Sequence, residues 1–412
     1  MPAFSMLSFC YPFLTLKGVK GYQFILLLSL LTQIARGQGG KSPIDFFGHP
    51  VSLPFAYSKP AFTTSLSPQA VADYSKRIDA ASLQPFLSAL LQYKANQRPD
   101  DWLYYQLVRK MAQHISPKTD NYYQYTFYKW WFLVQSGYDA RLTVAGDYLL
   151  FYVQCDENIY NIPSKIIDGR QYVCLNYHDY GSIDFQRYNF ADATPFVVAG
   201  TRPFSYKVSS LPDFSPDAYT EKEVQFSDGL RQYAFRIKVN PQVQTLFINY
   251  PAVDYDLQFN MPLSRATYES LISSLKKQVK GLKPKDGVEF LMRFTRYAFL
   301  FKPDAEVFGN EKRFSPEQTL LYEYSDCEDR AALFFFLVKE IYNLPMLVLT
   351  YPEHVTVAVA FDKPYGKTIN YNGNQYTICE PSPQGVDLRI GQLLPELSKK
   401  AYQVAYAYHP KP

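Results

Sequence analysis

The chain has 412 residues, 47% of them hydrophobic and 19% charged, with a formal net charge of +4. That length exceeds one ordinary core and points to two or three domains, and that hydrophobic share excludes a disordered chain. No Lys/Arg-rich run stands out, which argues against nucleic acid as a main partner.

The N-terminus reads as an export signal over residues 1–37. Lys17 and Lys20 flank the apolar run Phe24 to Ile34, and Ala35 to Gly37 offer small residues for cleavage before Gln38. The apolar run is too short to span a bilayer comfortably, so no integral span is expected after cleavage. The expected location is exported: periplasm, cell surface or extracellular. Export is thiol-permissive, yet Cys155, Cys174, Cys327 and Cys379 are too few for a disulfide framework. No CxxC, HExxH, Walker A or GxGxxG pattern occurs, so neither a cofactor nor a metal is expected.

Beyond the signal, residues 38 to 70 are rich in Pro, Gly and Ser, with a strand-like piece in "PVSLPFAY". Helical patterns follow in "SPQAVADYSKRIDAASLQPFLSALLQYK", "DWLYYQLVRKMAQHI" and "YYQYTFYKWWFLVQSG", then strands in "RLTVAG", "YLLFYVQC" and "GRQYVCLN". From 185 to 262 the chain reads as β, with alternation in "YAFRIKVN" and "TLFINY". Helices return in "SRATYESLISSLKKQVKG", "GVEFLMRFTRYAFLF" and the segment after Cys327, before strands in "MLVLTY", "HVTVAVAF" and "NQYTICEP". The tail from 384 reads as mixed and loop-rich.

This order repeats. "YYQYTFYKWWFLVQSGYDARLTV" sets over "EDRAALFFFLVKEIYNLPMLVLT" without a gap in the apolar positions, and "GRQYVCLN" over "GNQYTICE" shares Gly, Gln and Tyr. The expected fold is therefore α+β, two tandem units of helices packed on an antiparallel sheet. The expected divisions are 38–184, a β-rich segment 185–262, and 263–412.

The chemistry concentrates in "YEYSDCEDRAALFFFLVKEIYNLP". Ser325 or Asp326 can cap a helix that begins at Cys327, where unpaired N–H groups and the helix dipole favour a thiolate. Asp326, Glu328 and Asp329 oppose that in part. His354 heads the strand "HVTVAVAF" and Glu380 closes "NQYTICE". Were residues 362 to 372 a plain connection, pairing Phe361 with Gly373 would set His354 opposite Glu380 on one face. A carboxylate there holds the imidazole while its other nitrogen meets the thiol. Cys379 then faces the other way, into the core. The same register in the first unit puts Cys155 opposite Gly169 and Cys174 opposite Leu150, so the two should not form a disulfide.

A cysteine at a helix start, a helix ending near "NLP", a strand opening on His and a strand ending in an acid before Pro together resemble the transglutaminase-like superfamily of papain-like thiol enzymes. The resemblance covers roughly residues 285 to 385. It implies Cys327 as nucleophile, His354 as general base and acid, and Glu380 as the orienting group, with Glu where the family carries Asp and Asp387 as the fallback. An oxyanion donor is also required, and beside the Cys327 N–H the candidates are Tyr324, Tyr322 and Gln318. The insertion "PDAEVFGNEKRFSPEQTL" has no counterpart in the first unit. The implied activity is cleavage or transfer at an amide or peptide carbonyl through an acyl-thioester, either a peptidase/amidase or a transglutaminase-type acyltransferase. Its substrate would be a protein or peptide, or in a bacterial envelope a peptidoglycan peptide. In the first unit Asn121, Tyr148 and Asn176 fall on the three site positions and cannot run thiol chemistry, so that unit reads as a degenerate copy. The rival expectation is a non-catalytic binding or assembly protein of the cell envelope that keeps the fold.

Overall fold

The computed structural model describes residues 43–53, 57–62, 65–181, 183–303, 306 and 312–410. The expected export signal and Cys10 lie outside the described residues. Two short strands, β1 (Ile44–Phe46) and β2 (His49–Val51), precede four helices: α1 (Pro68–Arg77), α2 (Ala80–Gln97), α3 (Asp101–Ile115) and α4 (Tyr122–Gln135). Five strands follow, β3 (Ala140–Ala145), β4 (Tyr148–Gln154), β5 (Ser164–Ile167), β6 (Arg170–Cys174) and β7 (Ala191–Asp192). The hairpin β8 (Thr220–Ser227) and β9 (Gln232–Val239) leads into α5 (Gln242–Phe247), α6 (Tyr255–Phe259), α7 (Arg265–Val279) and α8 (Pro284–Tyr297). Then come β10 (Leu300–Phe301), α9 (Pro316–Leu321), β11 (Tyr324–Ser325) and α10 (Cys327–Tyr342). The chain finishes with β12 (Met346–Tyr351), β13 (His354–Val359), β14 (Thr368–Tyr371), β15 (Asn374–Cys379) and β16 (Gln403–Tyr408). Among the described residues the architecture is α+β, and no helix is long and apolar enough to cross a membrane.

Two antiparallel five-stranded sheets carry the same strand order, β5-β6-β4-β3-β7 and β14-β15-β13-β12-β16. Their registers agree as well. Adding 206 to the pair Ala145↔Tyr148 gives Tyr351↔His354, and adding 204 to Ser164↔Val173 gives Thr368↔Thr377. The outer hairpins close on Asp168-Gly169 and Asn372-Gly373, all four with positive φ, the turn whose twist matches paired strands. In each unit a largely buried helix, α4 or α10, runs directly into the sheet. Helices α7 and α8 pack against α10.

The structure corrects several sequence expectations. Residues 362–372 are not a plain connection, because they contain β14, which pairs with β15 and leaves β15 between β14 and β13. The β13–β15 register is Val357↔Cys379, so Glu380 continues opposite Thr356 rather than His354. A shift of two residues keeps every side chain on its face. The first sheet moves alike, with Cys174 opposite Tyr152. Cys155 and Cys174 are then three positions out of register, about 10 Å along the strands, and both are buried free thiols. "TLFINY" is no strand. Asn240 caps the N–H of Gln242 at 2.9 Å, and Val243, Leu246 and Phe247 are buried at helical spacing in α5. The stretch read as loop-rich at the end of the chain supplies β16, which joins the second sheet.

Residues of the segment 185–262 serve both cores. Phe204, Tyr206 and Phe214 pack into the first core, with Val243, Leu246 and Phe247 of α5. The hairpin between them puts Val224, Phe226, Phe235 and Ile237 into the second.

Two glycines near the outer edge of the second sheet take positive φ, and only one of them is closed to a side chain. Gly391 has φ +82 and a Cβ there would lie 2.4 Å from the Tyr365 carbonyl oxygen, while its own carbonyl accepts from Lys367 N–H at 2.8 Å. Gly373, at φ +80 in the hairpin turn, faces open space. Gly391→Ala is expected to lower unfolding free energy by roughly 2–4 kcal/mol, from left-handed strain plus a backbone clash, and Gly373→Ala by only about 1 kcal/mol. Urea denaturation of the two variants checks this, and equal losses would contradict it.

Candidate active site

Helix α10 begins where the sequence requires. The Asp326 carboxylate accepts from the N–H groups of Glu328 and Asp329 at 3.0 and 3.2 Å, and Asp329 returns a bond to the Asp326 N–H at 3.4 Å. This capping box places Cys327 at the first helical position. Among the described residues the Cys327 N–H has no protein acceptor. The helix is buried from Asp329 to Val338, and the left-handed Asn343 (φ 51) ends it before Leu344 and Pro345.

His354 opens β13 directly after the two-residue turn Pro352-Glu353. Its Nε2 lies 2.8 Å from Oε2 of Glu380, a residue with no exposed surface. A carboxylate only accepts, so the pairing holds the ring proton on Nε2 and leaves Nδ1 open. The second Glu380 oxygen accepts from Ser382 N–H at 3.3 Å. The Ser382 hydroxyl in turn donates to the Cys327 carbonyl at 3.4 Å. Cys327, His354 and Ser382 line one cleft of about 510 Å³, walled by Phe301, Val386 and Leu394.

The position of Glu380 rests on two buried guanidiniums that the sequence reading missed. Arg296 donates to the carbonyls of Glu380 and of Leu388, the latter at 2.9 Å. Arg330, one turn into α10, donates to Ser382 O at 2.7 Å, Phe299 O at 2.6 Å and the Ser325 hydroxyl at 3.0 Å. Burial pushes the Arg330 guanidinium down to about 10, against the pull of Asp326 and Asp329, so it stays charged at neutral pH. The available signal was Arg330 directly before the apolar run "AALFFFLV", since a cation buried there must find acceptors.

The electrostatics of the thiol reverse one expectation. Burial raises its pKa, the carboxylates of Asp326, Glu328 and Glu380 add to the rise, and the Val355 N–H opposes it. Burial and the carboxylates act against the thiolate that a helix terminus favours, and the raised pKa favours the thiol form at neutral pH. Among the described residues there is no Cys327–His354 hydrogen bond. The Val355 interaction nevertheless ties the sulfur to the residue that follows His354.

The oxyanion side chains named from sequence lie elsewhere. Tyr324 is exposed in β11 with the Lys302 ammonium 5.4 Å from its ring centre. Tyr322 stacks on Phe314 at 4.5 Å, and Gln318 is buried in the capping box of α9. None of the three lines the cleft. Asp387 binds Arg293 at 2.7 and 2.9 Å, so the acid on the imidazole is Glu380. The described part of the insertion is fastened to the first turn of α10, through Arg313–Glu328 at 3.0 Å and Phe314 N–H to Asp329 at 2.9 Å.

The equivalent positions in the first unit are filled. Asn121 caps α4, accepting from Gln124 N–H at 2.9 Å. Tyr148 sits edge-on to Tyr180 and Tyr188 at 4.9 and 5.4 Å. The buried Asn176 donates to the Tyr122 hydroxyl at 3.0 Å and Leu149 O at 2.9 Å. His178 and Asp179 fall in a 3-10 turn, where Asp179 binds Lys118 at 2.7 Å and the Tyr122 hydroxyl at 2.8 Å.

No family model, no curated protein and no solved structure matches the chain.

Two measurements test this geometry. Arg330→Met strands two buried carbonyls and is expected to lower unfolding free energy by roughly 3 kcal/mol in chemical denaturation. For the thiol, the ultraviolet thiolate absorbance lost in Cys327→Ser should stay near zero from about pH 5 to 8, as a raised pKa requires. A step at acidic pH, the mark of a resting thiolate–imidazolium pair, would contradict it.

Proposed function

We propose that the chain is an exported, thiol-dependent enzyme of transglutaminase-like type acting at an amide or peptide carbonyl. The observation that carries the reading is the 2.8 Å bond between His354 and the fully buried Glu380, beside a cysteine at a helix N-terminus in the same cleft. In this reading Nδ1 of His354 takes the Cys327 proton as the sulfur attacks the carbonyl carbon. The oxyanion forms beside the free Cys327 N–H. The C–N bond then breaks, the imidazolium returns its proton to the leaving amine, and an acyl-thioester remains. Water releases an acid, whereas a primary amine releases a new amide. Glu380 stabilises the transient imidazolium and fixes its ring. The first unit serves as scaffold, as its filled site positions suggest.

A second reading is supported by the raised thiol pKa and the missing Cys327–His354 hydrogen bond: a binding or assembly protein that retains the architecture of a thiol enzyme. The two part on one experiment. A peptidyl acyloxymethyl ketone should label Cys327 at neutral pH, and His354→Ala should slow labelling by roughly 10²-fold or more, the usual worth of a general base. Glu380→Gln should cost about tenfold, less than the base it orients. Equal labelling of wild type and His354→Ala would sink the enzyme reading and leave the binding one.

A further inference from the structure

We propose that the Cys327 cleft selects peptide segments carrying a basic side chain beside an apolar one. This rests on the thiol-enzyme reading and names its substrate class. The cleft's walls are of two kinds. Phe301 and Val386 present 45% and 48% of their surface, with Leu394 beside them. Exposed apolar side chains gathered at a concave site mark a place for an apolar ligand group. The remaining charged positions on the rim are Glu353 and Glu396, both exposed, and neither has an ion-pair partner among the described residues. Among the described residues no lysine or arginine lines the cleft.

The cations on neighbouring elements are engaged elsewhere, the Lys302 ammonium lying 5.4 Å from the Tyr324 ring centre. Arg330 spends its donors on Ser325, Ser382 and Phe299, and Arg313 is paired with Glu328. A ligand cation on the rim therefore meets the carboxylates of Glu353 and Glu396. Geometry also orders the ligand. The Cys327 N–H is the donor for a carbonyl, and Glu353 directly precedes His354, so the basic group sits on the His354 side of the reacting bond. A ligand carboxylate in the same place would face Glu353 and Glu396 without compensation. A cleft of about 510 Å³ has room for two such side chains and little more.

The test uses three peptidyl electrophiles that share one apolar residue and differ at its neighbour: Lys, Gln or Glu. At low ionic strength the Lys probe should label Cys327 about tenfold faster than the Gln probe, and the Glu probe should be slowest. In Glu353→Gln/Glu396→Gln the spread should shrink to about twofold or less, because the rim charge is gone. The non-reactive Lys peptide should also bind Cys327→Ala in fluorescence anisotropy, ahead of the Glu peptide. Labelling of equal rate by all three probes overturns the selectivity and leaves the reactive thiol standing. Preferential binding to Cys327→Ala without any labelling of the wild type overturns the enzyme reading and leaves the recognition standing.

Discussion

Arg296 and Arg330 are charged, have no exposed surface, and must find acceptors within the protein. They find them in the backbone that follows β15, at Glu380, Ser382 and Leu388, and in Phe299 before β10. This is the constraint on which the candidate site depends. The chain leaving the end of a strand is ordinarily free to fray, but here its carbonyls are held by groups that cannot release them without stranding a buried charge. Glu380 is thereby fixed where β13 presents His354. Because Arg330 also belongs to α10, the grip ties the acid to the helix that carries Cys327.

The two sheets show how little of this follows from strand order alone. Order, register and hairpin turns agree between them. What differs is the filling of a few positions. In the first unit Asn176 spends its side chain on the Tyr122 hydroxyl and on backbone, and Tyr148 lies among aromatic rings. In the second, Glu380 keeps an oxygen for His354 and a cleft stays open beside it. The scaffold supports both a packed end and an open one.

Much of the site was legible because its determinants are local. Asp326 and Asp329 announce a helix start by spacing, and period-2 alternation puts His354 and Glu380 on one face whatever the register. The register itself was not legible. It depends on β14, whose four residues were read as part of a connection, and Asn372-Gly373 was the signal that marked the tighter hairpin. β5 and β16 are short or edge strands, where pairing rather than burial makes the structure. The thiol's ionisation depended on how far burial and three carboxylates outweigh a helix terminus, a balance of distances that no spacing reveals. Partners distant in sequence, such as Arg296 with Glu380, leave no local pattern.

The hairpin β8–β9 packs its apolar face into the second core, although the chain on either side of it belongs to the first. The Trp102 indole N–H bonds Leu246 O at 2.9 Å and Arg313 bonds Val253 O at 3.0 Å, so the polypeptide is stitched back and forth. The two sheets are alike enough to suggest separable modules, yet no single cut of the chain returns two intact cores. A break before the hairpin strips the first core of α5, and a break after it leaves the second core without Phe226 and Phe235. The two cores are interleaved along the chain, so cutting either one free takes packing from the other.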